Sequence, residues 1–431
     1  MSPELVGLLA IIALLVLMAL RMWVGLAMAV IGFVGLIFIQ GLDRALLVVS
    51  TAPFTFIAKE SFTVLPMFML MGSVIGVTGI GTDLYKAAHT WIGHWRGGLA
   101  MATTLASAMF AAIVGSATAG VIVFGRVAYP EMKRFKYDDA LNTGVICASA
   151  TMGILIPPSV GFIIYGILTE QSVGKLFMAG VVPGVFQMLT YMLVIFIICR
   201  INPLKGPSGP HTTWKQKFFS IRYVWMMVAL FLLVMGVIYT GVCTPTEAGA
   251  IGAFGACVIT IVSRRLNLKG MKDALLDTGL LVGMMLMLLM ATGIFQKFMA
   301  VSELPFYLGQ AITGANVPHV VVMIFIVIVF FIGGMFLPGM LLIVLTVPIL
   351  FPLSIAMGYD PIWFGVLLVI LCEIGDISPP VGMVNFLMAG VAGVPVTVII
   401  RGVIPFLIGD IVRIVAIMAL PQLALWLPSL M

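Results

Sequence analysis

The chain is short of charge. Of 431 residues only 9% are Asp, Glu, Lys or Arg, while 62% are apolar, and so little polar surface cannot coat a water-soluble globule. Cysteine is scattered as well as rare: Cys147, Cys199, Cys243, Cys257 and Cys372 stand singly in apolar stretches with no C-x-x-C pair, so they read as small packing residues. Histidine forms no ligand set, because His89 and His94 lie beside Trp91, Trp95 and Arg96, a composition of membrane interfaces. Enzyme signatures are missing too. No H-E-x-x-H, G-x-S-x-G or phosphate-loop pattern occurs, and without a nucleophile or metal partner for the few acids an enzyme is not expected. The net charge of +6 resides in short loops between apolar runs, which is an orientation signal and not a nucleic-acid footprint.

What is present is hydrocarbon-matched sequence. A bilayer core of about 30 Å takes roughly 20 apolar residues per helix, and such runs fall near 3–20, 22–40, 61–80, 139–169, 176–199, 223–242, 246–263, 275–297, 361–391 and 404–428. The fold class expected is all-α, a polytopic membrane protein. The first run has no basic leader and no small-residue cleavage site before the second, so it reads as a spanning helix. Two stretches do not read as single helices: 98–129 is interrupted at Gly115-Ser116, and 318–352 at Gly333-Gly334 and Pro338-Gly339. Each reads as a re-entrant helical hairpin. Shorter amphipathic stretches, 82–95 and 302–313, precede them and suit the membrane interface. Ten crossings and two hairpins put both termini on the periplasmic side.

The chain also repeats itself. A shift of 222 residues lays Tyr129-Pro130 on Phe351-Pro352, Tyr137-Asp138 on Tyr359-Asp360, Gly153 on Gly375, Pro157-Pro158 on Pro379-Pro380, and Gly180, Val181 and Pro183 on Gly402, Val403 and Pro405. Prolines and an adjacent Tyr-Asp at one unbroken offset indicate a duplicated unit. The loop after Arg126 carries Lys133, Arg134 and Lys136, whereas its counterpart, Pro348 to Tyr359, carries no basic residue. Positive loops stay cytoplasmic, so the two halves read as inverted-topology repeats.

Non-helical backbone at membrane depth survives only where it is buried in protein or lines a wet cavity. Four breaks of that kind occur, at Gly115 to Thr118, Gly153 to Ser159, Gly334 to Met340 and Gly375 to Pro380. Proline removes a donor and blocks the carbonyl four residues back, so Pro157-Pro158 and Pro379-Pro380 free carbonyl oxygens suited to a hard cation. Hydroxyls of Ser116, Thr118, Ser149, Thr151, Ser159 and Ser378 add oxygens, and the helix N-termini after each break offer amides to an anion. The candidate cation ligands are Gly115, Ser116, Ser149, Gly153, Pro157, Gly334, Asp376, Ser378 and Pro379. The candidate solute contacts are Ser116, Thr118, Pro158, Ser159, Pro338, Gly339, Pro380 and Val381. Glu373 and Asp376 share a helix face; the alternative to a coupling role is a charge pair with Arg401 or Arg413. Asp410 and Arg413, three apart, read as satisfying each other, and Glu247 as the acidic member of a helix's first turn.

Gly-Ser-Ala at 115–117, Ile-Pro-Pro-Ser at 156–159, Gly-Lys-Leu-Phe-Met-Ala-Gly at 174–180, Thr-Pro-Thr-Glu-Ala at 244–248 and Pro-Pro-Val-Gly at 379–382 together resemble the large membrane subunit of tripartite ATP-independent periplasmic (TRAP) transporters, over essentially the whole chain. The resemblance implies a multi-pass protein of the bacterial inner membrane that imports a small organic anion with sodium ions and no other cofactor. It implies an elevator mechanism, a small four-helix membrane subunit and a periplasmic solute-binding protein as partners, and membrane lipid around them. The organisation expected is N-terminal scaffold helices and interfacial arm in 1–97, a first transport repeat in 98–199 (hairpin 98–129, broken helix 139–169), central scaffold helices and second arm in 200–317, and a second transport repeat in 318–431 (hairpin 318–352, broken helix 361–391). The chain departs from the family pattern at Leu337-Pro338-Gly339-Met340, where an acidic tip residue is missing, and Asp376 is the residue that replaces that carboxylate from the opposing helix. A stand-alone ion-coupled organic anion symporter or exchanger is the other reading. A passive channel is disfavoured because the symmetry is internal and inverted.

Overall fold

A computed structural model describes residues 2–314 and 318–431; Ala315 to Val317, at the end of the 200–317 segment, lie outside the described residues. Among the described residues there are helices and no strands. The chain opens with α1 (Pro3–Ala19), α2 (Val24–Gln40), α3 (Leu42–Ile57) and α4 (Val64–Gly76). Helix α5 (Ile80–Ile92) leads into the pair α6 (Gly98–Val114) and α7 (Ala117–Arg134), then α8 (Asp139–Leu155), α9 (Val160–Thr169) and α10 (Val173–Ile201). The centre holds α11 (Trp214–Ser220), α12 (Trp225–Tyr239), α13 (Pro245–Val262) and α14 (Leu268–Ser302). The second half runs α15 (Leu304–Gly314), α16 (His319–Phe336), α17 (Gly339–Ala356), α18 (Pro361–Ile377), α19 (Met383–Ala392), α20 (Val396–Ala419) and α21 (Gln422–Leu425). Seven helices among the described residues are long and apolar enough to cross a membrane, counting α8 and α9 as one broken span, and up to nine if two bent pairs are each one span.

The 222-residue shift carries α7 onto α17 and α8 onto α18 end for end, and α6, α9 and α10 onto α16, α19 and the start of α20 to within a residue. The repeated Tyr-Asp explains why. Asp138 caps α8 by accepting from Leu141 N at 3.1 Å, and Asp360 caps α18 by accepting from Ile362 N and Trp363 N at 2.8 and 2.9 Å, satisfying donors that a helix start leaves orphaned. The Tyr137 hydroxyl accepts from Leu99 N at 3.2 Å, while the Tyr359 hydroxyl donates to His319 O at 3.4 Å. Each tyrosine thus ties the start of its half's first arm to the start of its broken helix. Because α7 ends five residues before α8 begins, and α17 likewise before α18, both arms of each pair begin and end at one end of the bundle.

The halves are interleaved. Helix α7 packs on α19, α17 on α9, and α8 crosses α20. The crossing is so close that a Cβ on Gly144 would stand 2.3 Å from the Gly402 carbonyl, which only glycine permits. The central helices form a separate layer in which α14 packs on α2, α3 and α4, and α13 on α4. Thr244 and Glu247 close a reciprocal capping box at the start of α13, with Glu247 Oε2 accepting from Thr244 N at 2.8 Å and Thr244 Oγ1 from Glu247 N at 3.3 Å.

Several expected bounds need correction. The arms α7 and α17 run to Arg134 and Ala356, past the ends expected at 129 and 352, and α16 stays helical through Gly333-Gly334, so the second pair breaks only at Leu337-Pro338. Residues 42–57 form α3, where no helix was expected: Asp43, Arg44, Ser50, Thr51, Pro53 and Thr55 dilute the apolar signal, yet the helix packs on α14. The last long helix is 396–419 and not 404–428, because Pro395 serves as its N-cap and Pro421 cannot continue it. The helix near 275–297 extends over 268–302, started by Asn267 Oδ1 accepting from Gly270 N at 2.7 Å.

Candidate functional site

Each pair of arms meets the break of its own half. At the first junction Gly115 has φ +63°, and a Cβ there would lie 2.9 Å from the Pro158 carbonyl oxygen. A Cβ on Gly153 would lie 3.0 Å from Ser116 N. Backbone touches backbone. Ser116 caps α7 by accepting from Ala119 N at 3.3 Å, and Ser159 caps α9 by accepting from Phe162 N at 3.4 Å while donating to the Ile154 carbonyl. Gly115, Ser116, Gly153, Pro157, Pro158 and Ser159 are therefore brought together, with Pro157, Pro158 and Ser159 buried. Two expected members are elsewhere: Thr118 lies on an exposed face, and Ser149 is buried one turn below the break, donating to Thr104 Oγ1 at 3.0 Å. Thr151 turns back to the Ala148 carbonyl at 2.8 Å.

At the second junction a Cβ on Gly334 would lie 2.6 Å from the Gly375 Cα, and one on Gly339 would lie 2.8 Å from the Cys372 Cβ. Pro338, the N-cap of α17, has no side chain able to cap. Its role is taken by the buried Asp376, whose Oδ1 accepts from Gly339 N at 3.1 Å. Ser378 is buried and donates to the Ile374 carbonyl at 2.6 Å; Pro379 and Val381 are half-buried and Pro380 is exposed. Gly334, Gly339, Asp376 and Ser378 are brought together, and the Pro-Pro segment of this half is the more open one. Both Pro-Pro bonds are cis.

Behind the second break lies a closed polar cluster. Arg413 Nη2 reaches Glu373 Oε2 and Asp410 Oδ1, both at 3.0 Å, and all three side chains are at most 1% exposed. Tyr191 donates to Asp410 at 2.9 Å, and Gln187 Nε2 donates to Glu373 and to the Tyr191 hydroxyl at 3.1 Å. Glu373 and Asp376, although on one face, thus do different things: Glu373 pairs with Arg413, and Asp376 holds the tip. Arg413, read from the sequence as a partner for Asp410 or Glu373, pairs with both and is wholly enclosed, its two carboxylates offsetting the cost of burying it.

The model of the tripartite ATP-independent periplasmic transporter DctM component matches residues 11–423. The chain belongs to this family. Its TRAP relatives include the C4-dicarboxylate TRAP transporter large permease protein of Pseudomonas aeruginosa, 35% identical over 87% of this chain and 88% of that protein. The sialic acid TRAP transporter large permease protein of Vibrio cholerae is 30% identical over 86% of this chain and 87% of its own length. The ectoine/5-hydroxyectoine TRAP transporter large permease protein of Ruegeria pomeroyi is 30% identical over 87% of both. Among solved structures, the Alcanivorax borkumensis YdaH transporter, described as having an unusual topology, superposes with a TM-score of 0.67 over 100% of this chain and 98% of its own at 14% identity, a likeness of fold alone. Like its family, this TRAP large subunit is a multi-pass membrane transport protein and not an enzyme.

Three residues of the DctM-type core carry polar work that the sequence did not single out. Asn385, buried in α19, donates from Nδ2 to the Ile377 carbonyl at 2.8 Å, taking up an oxygen freed by the second break, and its Oδ1 has no partner. Gln187 and Tyr191 sit in the apolar run of α10, where one amide and one phenol leave no periodic mark. The signal that could have found them is their spacing of four, which puts both on one helix face.

Proposed function

We propose that the chain is the translocating subunit of a sodium-coupled TRAP importer of a small organic anion, and that it works by an elevator movement of the two interleaved repeats against the layer built from α2 to α4, α13 and α14. The observation that carries this reading is the pair of tip-on-break junctions, at Gly115 with Pro158 and at Gly334 with Gly375. Each places helix N-termini and chain oxygens level with the middle of a broken span, one junction per repeat. Carbonyls and hydroxyls there ligate sodium, and the amides at Ser116, Ser159 and Val381 face the solute's acidic group. The arm pairs act as re-entrant hairpins, since each starts and finishes at one end of its own broken helix.

Relatives named for C4-dicarboxylate, sialic acid, isethionate and ectoine support an organic acid as cargo. The isethionate relative is a permease protein named DctMQ, of which the chain covers 56%; this supports a small membrane subunit as partner, alongside a periplasmic binding protein that delivers the solute to an inner-membrane complex. The test is uptake into proteoliposomes with imposed sodium gradients and a panel of organic acids. Sodium-dependent uptake that needs the small subunit and the binding protein is the expected result. Robust uptake of free substrate by this chain alone overturns the tripartite reading in favour of a stand-alone symporter. With Asp376→Asn, uptake and sodium dependence are both expected to fall; unchanged values reject a coupling role for that carboxylate.

A further inference from the structure

Arg96, in the turn between α5 and α6, and Arg200, in the last turn of α10, line one cleft of about 550 Å³. Neither is among the ion pairs formed by the described residues, and no acidic side chain lines the cleft. Its remaining walls are Trp95, Met101 of α6, and Met192 and Phe196 of α10. The same α6–α10 seam continues deeper into a second cleft of about 190 Å³, lined by Ala108 and Ala112 of α6, Gly184 and Met188 of α10, and Phe231 of α12. At 1.5 Å per residue, the rise along α10 from Arg200 to Met188 is about 18 Å, and one leaflet of hydrocarbon is about 15 Å deep. The seam is therefore a furrow one leaflet long, cationic at its mouth and apolar along its length.

The mouth faces the basic end of the molecule. Gly97 N donates to Gly206 O at 2.8 Å and Gly209 N to Gly93 O at 2.9 Å, which clamps the Arg96 turn against the loop carrying Lys205, beside the Lys133 to Lys136 loop through Tyr137 and Pro207. By the positive-inside rule this end is cytoplasmic, the leaflet where basic pockets between helices meet anionic headgroups. The geometry points to a bound anionic glycerophospholipid, its phosphate held between Arg96 and Arg200, with Trp95 at headgroup level and one acyl chain laid along the α6–α10 furrow. A partner helix is about 10 Å across and does not fit the narrow inner cleft, and a free anion has no use for an apolar trough. The lipid fills the seam between the first repeat and α12. This goes beyond the transport reading and stands whatever the cargo.

Native mass spectrometry and thermal shift on the full purified chain test it, with phosphatidylglycerol, phosphatidylcholine and inorganic phosphate as probes. The expected result is retention of phosphatidylglycerol and a rise in Tm with it alone. The double variant Arg96→Gln/Arg200→Gln removes two exposed charges and is expected to weaken this binding about thirtyfold, from about a kcal/mol per basic residue. Ala112→Phe, which blocks the inner furrow, is expected to weaken long-chain phosphatidylglycerol and spare its short-chain form. Equal retention by wild type and the double variant overturns the assignment, as does an equal shift with phosphatidylcholine. A shift reproduced by inorganic phosphate overturns it in favour of a free-anion site.

Discussion

At the first tip Ser116 caps its own helix, and the break beneath it is lined by neutral hydroxyls. At the second, the 222-residue shift puts Pro338 in the place of Ser116 and Asp376 in the place of Ile154, so the tip borrows a carboxylate from α18. The contrast continues outward, where Arg413 stands in register with Tyr191 and meets it through Asp410. One duplicated backbone is thus held by two chemistries. Both halves rest on close glycine contacts; the first adds serine hydroxyl caps, and the second adds buried charge. A repeat preserves helix ends because caps and prolines set them, whereas the side chains that pin the tip are exchangeable between either strand of the contact.

The comparison breaks hardest at Arg413. Replacing it with Met leaves Glu373 and Asp410 enclosed without their cation, which is expected to cost about 3–5 kcal/mol; Tyr191→Phe, removing one hydroxyl, should cost about 1–2 kcal/mol, both read from denaturant unfolding in detergent. Next is Gly115→Ala, where left-handed strain and the Pro158 oxygen together should cost about 2–3 kcal/mol. Exchanging the devices sharpens the argument further. Asp376→Ile is expected to destabilise by about 1–3 kcal/mol, and adding Pro338→Ser should recover about 1 kcal/mol by letting the second tip cap itself; a double variant no better than the single one rejects the equivalence of the two caps. The smallest effect belongs to the tyrosine ties. Tyr137→Phe loses two bonds, from Leu99 N and to Pro207 O, and should cost about 1 kcal/mol, against a few tenths for Tyr359→Phe with its single long bond to His319, using the same unfolding assay.

Much of this was legible in the residues. Prolines, glycines and the doubled Tyr-Asp fix backbone behaviour locally, so the repeat, the Pro-Pro breaks and the starts of α8 and α18 could be read one position at a time, whereas α7 and α17 run four to five residues past the ends expected for them. Pairings across helices were legible only where a buried charge demanded a partner, as with Asp376 opposite the second tip and a basic partner for Glu373. The sequence leaves Arg401 and Arg413 as alternatives for Glu373, and the approach of α18 to α20 selects Arg413. Ser149 shows the same limit from the other side: it belongs to the right helix, but one turn too early, and Thr104 of α6 claims it. Helix α3 was hidden because its polar residues mimic a loop until α14 supplies a surface for the remaining face.

The interleaving of α7 with α19 and of α9 with α17 has a consequence for synthesis. Gly125 of α7 fits beside Val391 of α19, so a contact surface made early stays vacant while some 270 further residues are translated, on the order of 15–50 s at about 5–20 residues per second. During that interval the first repeat is a membrane-inserted fragment with unfilled grooves, exposed to whatever quality-control proteases and insertion factors patrol the bilayer. Truncated products of this chain are accordingly expected to be degraded and not to accumulate as half-transporters.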